Sequence, residues 1–569
     1  MEGSAKFSRI ALFTLLSGLA ACSGGRSETI TLSAPLSLSA PSPLFGPSQP
    51  PAKLDAQYLA SAASPFAAGC DQQNIGGTAY LNAEVEPYLT VNPLNPNRLV
   101  GTWQQDRWSN GSARGLISAT SLDGGQTWTR RALPFSRCGG GTVGNGGDYA
   151  RVTDPWVSYG PNGTVYATGL ANSGVSFQAG SSNAILVSRS LDDGLTWSNP
   201  ATLIRDGSGF FNDKEAVTAD PTNANLVYVV WDRLVAGDNG GPAYLARSTN
   251  GGASWEAARP IYDPGNNSQT IGNLIVVLPD GALVNLFLQI DYGPPESAHI
   301  AVVRSFDKGA TWTAPRAVAE LLSVGTRDPN TGIAVRDASI LPQIAVAPNG
   351  TLYVAWQDSR FESGALDSIV ISRSLDDGNT WTPPQRVSTD AGVAAFNHAL
   401  HVRHDGMIGV TYYDFRSDGA AATLMTDVWL ARSSDGGATW AETRISDPFD
   451  LAIAPRTNAD GTGGYFVGDY QGLVSRGDVF LPFFSKANNA NTANRTDIFL
   501  VPALSAVNSV IGRTRTDCGP PRSRPLSSSF VPPEVKHRIG ANLQRARQQR
   551  LVSAAPATTR ELRPHFRTP

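Results

Sequence analysis

The sequence predicts an all-β chain organised as a β-propeller, on three observations. An eight-residue box, S-x-D-x-G-x-T-W, recurs from Ser121, Ser190, Ser248, Ser305, Ser374 and Ser433, at steps of 69, 58, 57, 69 and 59 residues. A repeat of that length in a β-rich chain marks an array of blades. Gly (57) and Pro (39) are abundant while Met is scarce (3), which favours short strands and many turns over long helices. Upstream of the boxes, apolar runs flank tight-turn dipeptides such as Asn162-Gly163, Asp280-Gly281, Asn349-Gly350 and Asp405-Gly406. These read as hairpins, because such residues tolerate positive φ.

Each repeat therefore reads strand, turn, strand, loop, strand, box, strand, with the box between the third and fourth strands. The hairpin signature occurs a seventh time from Tyr465 and ends at Asp497-Ile498-Phe499-Leu500 without a box. Residues near Thr78–Leu81 are expected to supply the missing fourth strand and close the ring, which would leave no open sheet edge. The expectation is seven four-stranded blades over residues 78–512. Six blades plus an accessory hairpin is the alternative.

The flanks differ in composition. Lys6 and Arg9 precede the apolar run Ile10–Leu16 and then Leu19-Ala20-Ala21-Cys22. That order reads as an export signal over residues 1–22. It resembles the lipobox of bacterial lipoproteins, which implies lipidation of Cys22 and anchoring at the cell envelope. Residues 23–77 are rich in Ser, Pro and Ala and read as a tether. Cys70 and Cys138 flank the first repeat, and export would allow them to pair. Residues 513–569 hold 11 Arg and 1 Lys against 3 acidic residues, a charge of +9, which leaves −12 for the rest. An acidic body excludes a nucleic-acid-binding core. The basic tail reads as a disordered arm, with a short helix around Val535–Leu551 as its one candidate element. No cysteine spacing suits a metal and no EF-hand loop is present, so no cofactor is expected, with a structural calcium left open. The chain is expected to act as a monomer.

The boxes read as structure. The acid accepts backbone N–H bonds inside a turn, Gly takes the strained position and Trp packs beneath. The acid positions are Asp123, Asp192, Asp307, Asp376 and Asp435, and Asn250 replaces the acid in the third box. Asn keeps the turn and does no acid chemistry, so function is sought on the opposite face. Strand alternation puts the starts of first strands and the ends of second strands there. The starts carry Glu86, Asp154, Asp213-Lys214-Glu215, Gln343, His398 and Asp469-Tyr470. The ends carry Asp106-Arg107, Asp232-Arg233, Asp358 with Arg360, and Asp414 with Arg416. Polar groups converging with aromatic rings are what a glycan site requires. A single Asp-x-Arg pair reads equally well as a bridge between blades, and a lone His398 as a structural hydrogen-bonder.

With its repeated box the chain resembles the sialidase-like Asp-box (BNR-repeat) superfamily over about residues 78–505. The resemblance implies a glycan substrate and an exo-glycoside hydrolase of sialidase type, or a non-catalytic carbohydrate- or protein-binding propeller. It implies a Tyr nucleophile, a Glu base, an Asp acid and an arginine clamp. By position these fall on Tyr470, Glu215, Asp154 or Asp106, and Arg107, Arg233, Arg360 and Arg416. Glu86, Gln343, His398 and Asp469 complete the binding ring. Sialidases begin the first blade with Arg-Ile-Pro, where this chain has Glu86-Pro87-Tyr88.

Overall fold

A computed structural model describes residues 55–73, 75–419, 422–458, 463–504, 525–526 and 531–552. Within them the predicted meander repeats along the chain. The first unit runs Glu84–Val91, Leu99–Arg107, Ala113–Ser121, Thr129–Ala132, each strand antiparallel to the last. Equivalent four-stranded units begin at Arg151, Phe210, Ser268, Gln343 and Ala395. Every box follows a third strand, since Ser121, Ser190, Ser248, Ser305, Ser374 and Ser433 are the last residues of theirs. The first strands pack on one another in chain order, and the one starting at Gly472 packs back on Glu84–Val91.

The unit starting at Gly472 takes its fourth strand from Tyr58–Leu59, which pairs with Phe499–Leu500. This corrects the expectation that Thr78–Leu81 would do so. Ala79 bridges Trp108 instead, beyond the end of a second strand. The physical reason is a better match upstream. Ser61 Oγ donates to Asp497 at 2.7 Å and accepts from the Ile498 amide at 3.0 Å, so the 58–61 segment satisfies the third strand's edge. The described part of the stretch read as tether is thus packed against the sheets, and Cys70 is disulfide-bonded to Cys138.

The tail needs a second correction. Pro533–Arg550 form a helix, α1, and it is docked rather than disordered. Val535, Ile539 and Leu543 recur every four residues, one face of a helix. They are buried among Leu321, Leu322, Ile340 and Leu341, apolar residues on the face away from the boxes.

Candidate functional site

Five first strands carry the same bulge near their start, with register shifts after Val85, Thr153, Asp213, Ile271 and Phe396. In each, one residue is left-handed: Glu86 (φ 56°), Asp154 (54°), Lys214 (55°), Gly272 (68°) and Asn397 (50°). For a non-glycine residue this costs about 1–2 kcal/mol. A bulge re-aims a side chain, and such strain gathers at functional sites. Here it turns Glu86, Asp154 and Lys214 toward one another. Two further segments complete the group. Val335–Arg336 pair in parallel with Tyr465–Phe466, which brings Arg336 beside Asp469.

The result is a buried charge cluster. Lys214 Nζ lies 2.7 Å from Asp154 Oδ1, 2.7 Å from Asp469 Oδ2 and 3.5 Å from Glu86 Oε1. Arg336 binds Asp469 through two nitrogens, with Nε 2.8 Å from Oδ1. Arg107 donates to Gln104 Oε1 at 2.9 Å, and Gln104 donates in turn to Glu86. The Arg107 and Arg336 guanidiniums each lie 4.7 Å from the Phe466 ring centre.

Burial and pairing divide these groups. Burial, reinforced by Asp154 and Asp469 against the pull of Lys214, pushes Glu86 up to about 8. Burial, then Asp154, also pushes Glu215 well above the carboxylate range. Neither Glu215 oxygen has a hydrogen-bond partner beyond its own backbone amide. Burial opposes ionisation of Asp469 too, but Arg336 and Lys214 outweigh it and hold the group far below its usual range. Burial and the nearby Arg336 lower Arg107 to about 10. Tyr470 is raised well above its ordinary value by burial and by Glu86, Asp154, Glu215 and Asp469. Its hydroxyl donates to the Pro155 carbonyl at 3.0 Å. Proteins part the pKa values of neighbouring acids in this way where one must hold a proton and another must not.

Two small cavities adjoin Lys214, each of about 20 Å³, room for one water. One is walled by Glu215, Tyr470, Trp156, Asn273 and Gln343. The other lies between Arg336 and Asp469 on one side and Asn542, Arg545 and Gln549 of α1 on the other.

The structure gathers Glu86, Asp154, Glu215, Asp469, Tyr470, Arg107 and Gln343 at or beside this cluster, and sets five expected residues apart. Asp106 accepts from Ser64 Oγ (2.6 Å) and the Asn82 amide (2.8 Å), where it pins the 55–77 segment. Arg233 is paired through two nitrogens with Asp206 and stacks 3.5 Å over Phe210. Arg360 is paired likewise with Asp358, and Arg416 with Asp414 and Glu442. These three arginines are held in bridges by acids of the chain itself, and the basic groups at the cluster are Arg107, Lys214 and Arg336. His398 bonds the Ala355 carbonyl at 2.9 Å, and burial lowers it to about 4, a structural histidine. Among the described residues, the grouping spaced for a metal is Cys70, Asp71 and Cys138, whose two sulfurs form the disulfide. Sequence reasoning had Lys214 in the ring without a role and missed Arg336. Its signal was the 69-residue step from Ser305 to Ser374, long enough to hold the insertion that carries it.

No family model matches the chain, and no curated protein does. Solved structures of similar outline include a protein of unknown function from Dyadobacter fermentans, at 14% identity over 76% of this chain and 99% of that one (TM-score 0.40). The Hadza microbial sialidase Hz136 is similar at 17% identity over 71% and 73% (TM-score 0.41). The α-L-arabinofuranosidase Arb93A of Fusarium graminearum is similar at 12% over 79% and 98% (TM-score 0.41).

Proposed function

We propose that the chain is a carbohydrate-active, seven-bladed propeller that cleaves a glycosidic bond at the axial cluster. The observation that carries this reading is the division among neighbouring carboxyls. Burial and Asp154 favour the protonated form of Glu215, while Arg336 and Lys214 favour the charged form of Asp469. Glycoside cleavage uses two carboxyls, one giving a proton to the leaving oxygen while the other assists attack at the sugar. Glu215 is the acid in this scheme and Asp154 its partner. That reverses the role of Glu215 expected from the resemblance, because a carboxyl that keeps its proton is a poor base for Tyr470. Tyr470 serves as an aromatic wall. Arg336 Nη1 and Arg107 Nε are the donors for the oxygens of the sugar, while Lys214 stays committed to Asp154, Asp469 and Glu86.

Export with a lipid at Cys22 belongs to the same proposal, and the Cys70–Cys138 disulfide supports it, since such bonds persist in oxidising compartments. A second reading, a glycan-binding propeller without catalysis, is favoured by the saturation of Lys214 and Arg336 with acids of the chain itself.

The test is hydrolysis of a panel of aryl glycosides that includes a sialoside and an arabinofuranoside. Turnover that falls at least 100-fold in Glu215→Gln and in Asp154→Asn supports the hydrolase. Glycan binding without turnover leaves the binding propeller. Turnover untouched by either substitution removes the axial cluster from the chemistry.

A further inference from the structure

The charge cluster is covered by the chain's own helix. Arg336 spends Nε and Nη2 on Asp469, and its remaining nitrogen, Nη1, donates to the carbonyl of Gln549 in the last turn of α1. A ligand oxygen would take that same donor. Beside it Asn542 donates to Ser339 Oγ at 3.2 Å and Ser323 Oγ at 3.4 Å. The contacts made over the axis are thus hydrogen bonds to neutral groups, of the kind a sugar also makes.

We propose that α1 is a displaceable plug whose last turns occupy the ligand position of the axial site. This rests on the glycan reading above and adds what controls access. Three observations carry it. The space between Arg336 and α1 is about 20 Å³, room for one water, so no sugar fits there while the helix is seated. Two grooves of about 520 and 570 Å³ flank α1 and use it as a wall, the first shared with Gly325 and Phe415, the second with Tyr292 and Leu321. Each groove by itself is of the size that ligand sites have, and each borders the helix that covers Arg336. The helix also depends on its seat. It has Gly540 in its interior, no side-chain cap at Pro532 and 18 residues. Such a segment is marginal in water by itself.

The experiment uses the full chain. Ile539→Asp with Leu543→Asp unseats α1 by charging its buried stripe, and Gly540→Pro unseats it by breaking the helix should the first variant not fold. Trypsin cleavage at Arg538, Arg545 or Arg547 reports release. The expected result is rapid cleavage together with at least a tenfold gain in binding or hydrolysis across the glycan panel. A synthetic peptide of residues 533–552 should reverse that gain. Release of α1 with glycan binding and hydrolysis unchanged or weaker overturns the plug. Should neither form act on any glycan, the peptide decides. Its binding to the unseated variant, lost in Arg336→Gln, keeps the plug and rejects the glycan reading, and no peptide binding rejects the plug.

Discussion

The two faces of the molecule use the same acid side chains to opposite ends. On the box face each acid is served by its own turn. Asp376 accepts from Ser374 Oγ at 2.8 Å, the Thr380 amide at 2.8 Å and Thr380 Oγ1 at 2.7 Å. Those bonds to an exposed carboxylate favour its charged form and lower it to about 2, with Asp435 alike. On the axial face the acids are buried and their partners come from other units. Lys214 reaches Asp154 across 60 residues of chain and Asp469 across 255. Glu86 and Glu215 are driven up there while Asp469 is driven down. A turn repeated in six of the units stabilises the fold, whereas a set of charges assembled once from several units can carry chemistry.

The largest expected effect is at Lys214. Lys214→Met leaves Asp154, Asp469 and Glu86 without their shared cation. Breaking a buried pair from one side costs about 3–5 kcal/mol. Thermal unfolding should show a large fall or no folded protein, and an unchanged midpoint would mean that the cluster contributes nothing.

The next effect is a difference in pH dependence. Glu86 has its folded value raised from 4.5 to about 8. Its stabilising contribution is therefore complete below 4.5 and is lost as pH rises through 8. Glu86→Gln should flatten the fall of stability over that window, measured by urea unfolding at several pH values. The box acids work the other way. Asp376, lowered to about 2, contributes above 3.8 and loses that contribution as pH falls toward 2. Stability losses from the two faces should thus lie at opposite ends of the pH range.

The smallest effect is within one box. Asp376→Ala removes the acceptor of a turn and should cost about 1 kcal/mol, close to the loss of a helix cap. Asp376→Asn should cost less, because Asn250 keeps the same turn, accepting from Ser254 N at 2.9 Å and donating to Ser254 Oγ at 2.8 Å. Equal losses for the two substitutions would mean that charge, not turn geometry, matters there.

What was legible in the sequence follows the same division. The boxes could be read because the bonds that the acid position makes lie within four residues of chain, so the motif contains its own explanation. The strand order could be read from alternation and turn dipeptides, and alternation also placed Glu86, Asp154, Glu215 and Asp469 on one face. The pairings could be read only in part. The Asp-x-Arg spacing left Asp358 with Arg360 and Asp414 with Arg416 open as bridges or as a clamp, and only the fold decides for bridges and shows Asp206 occupying Arg233. Arg336 sits in an insertion outside the repeat, so the long step from Ser305 to Ser374 marked the insertion but not the residue. The stripe Val535, Ile539, Leu543 was a readable sign of a docked helix, hidden by the basic composition around it.

The account depends most on a carboxyl that keeps its proton at the axis. Infrared difference spectra of the full chain and of Glu215→Gln at pH 7 test this directly. A protonated-carboxyl component in the native protein that is lost in Glu215→Gln, beside the component Glu86 retains, is the predicted result. A native protein with no such component at pH 7 would contradict it, because Glu215 would then be ionised and could not be the acid.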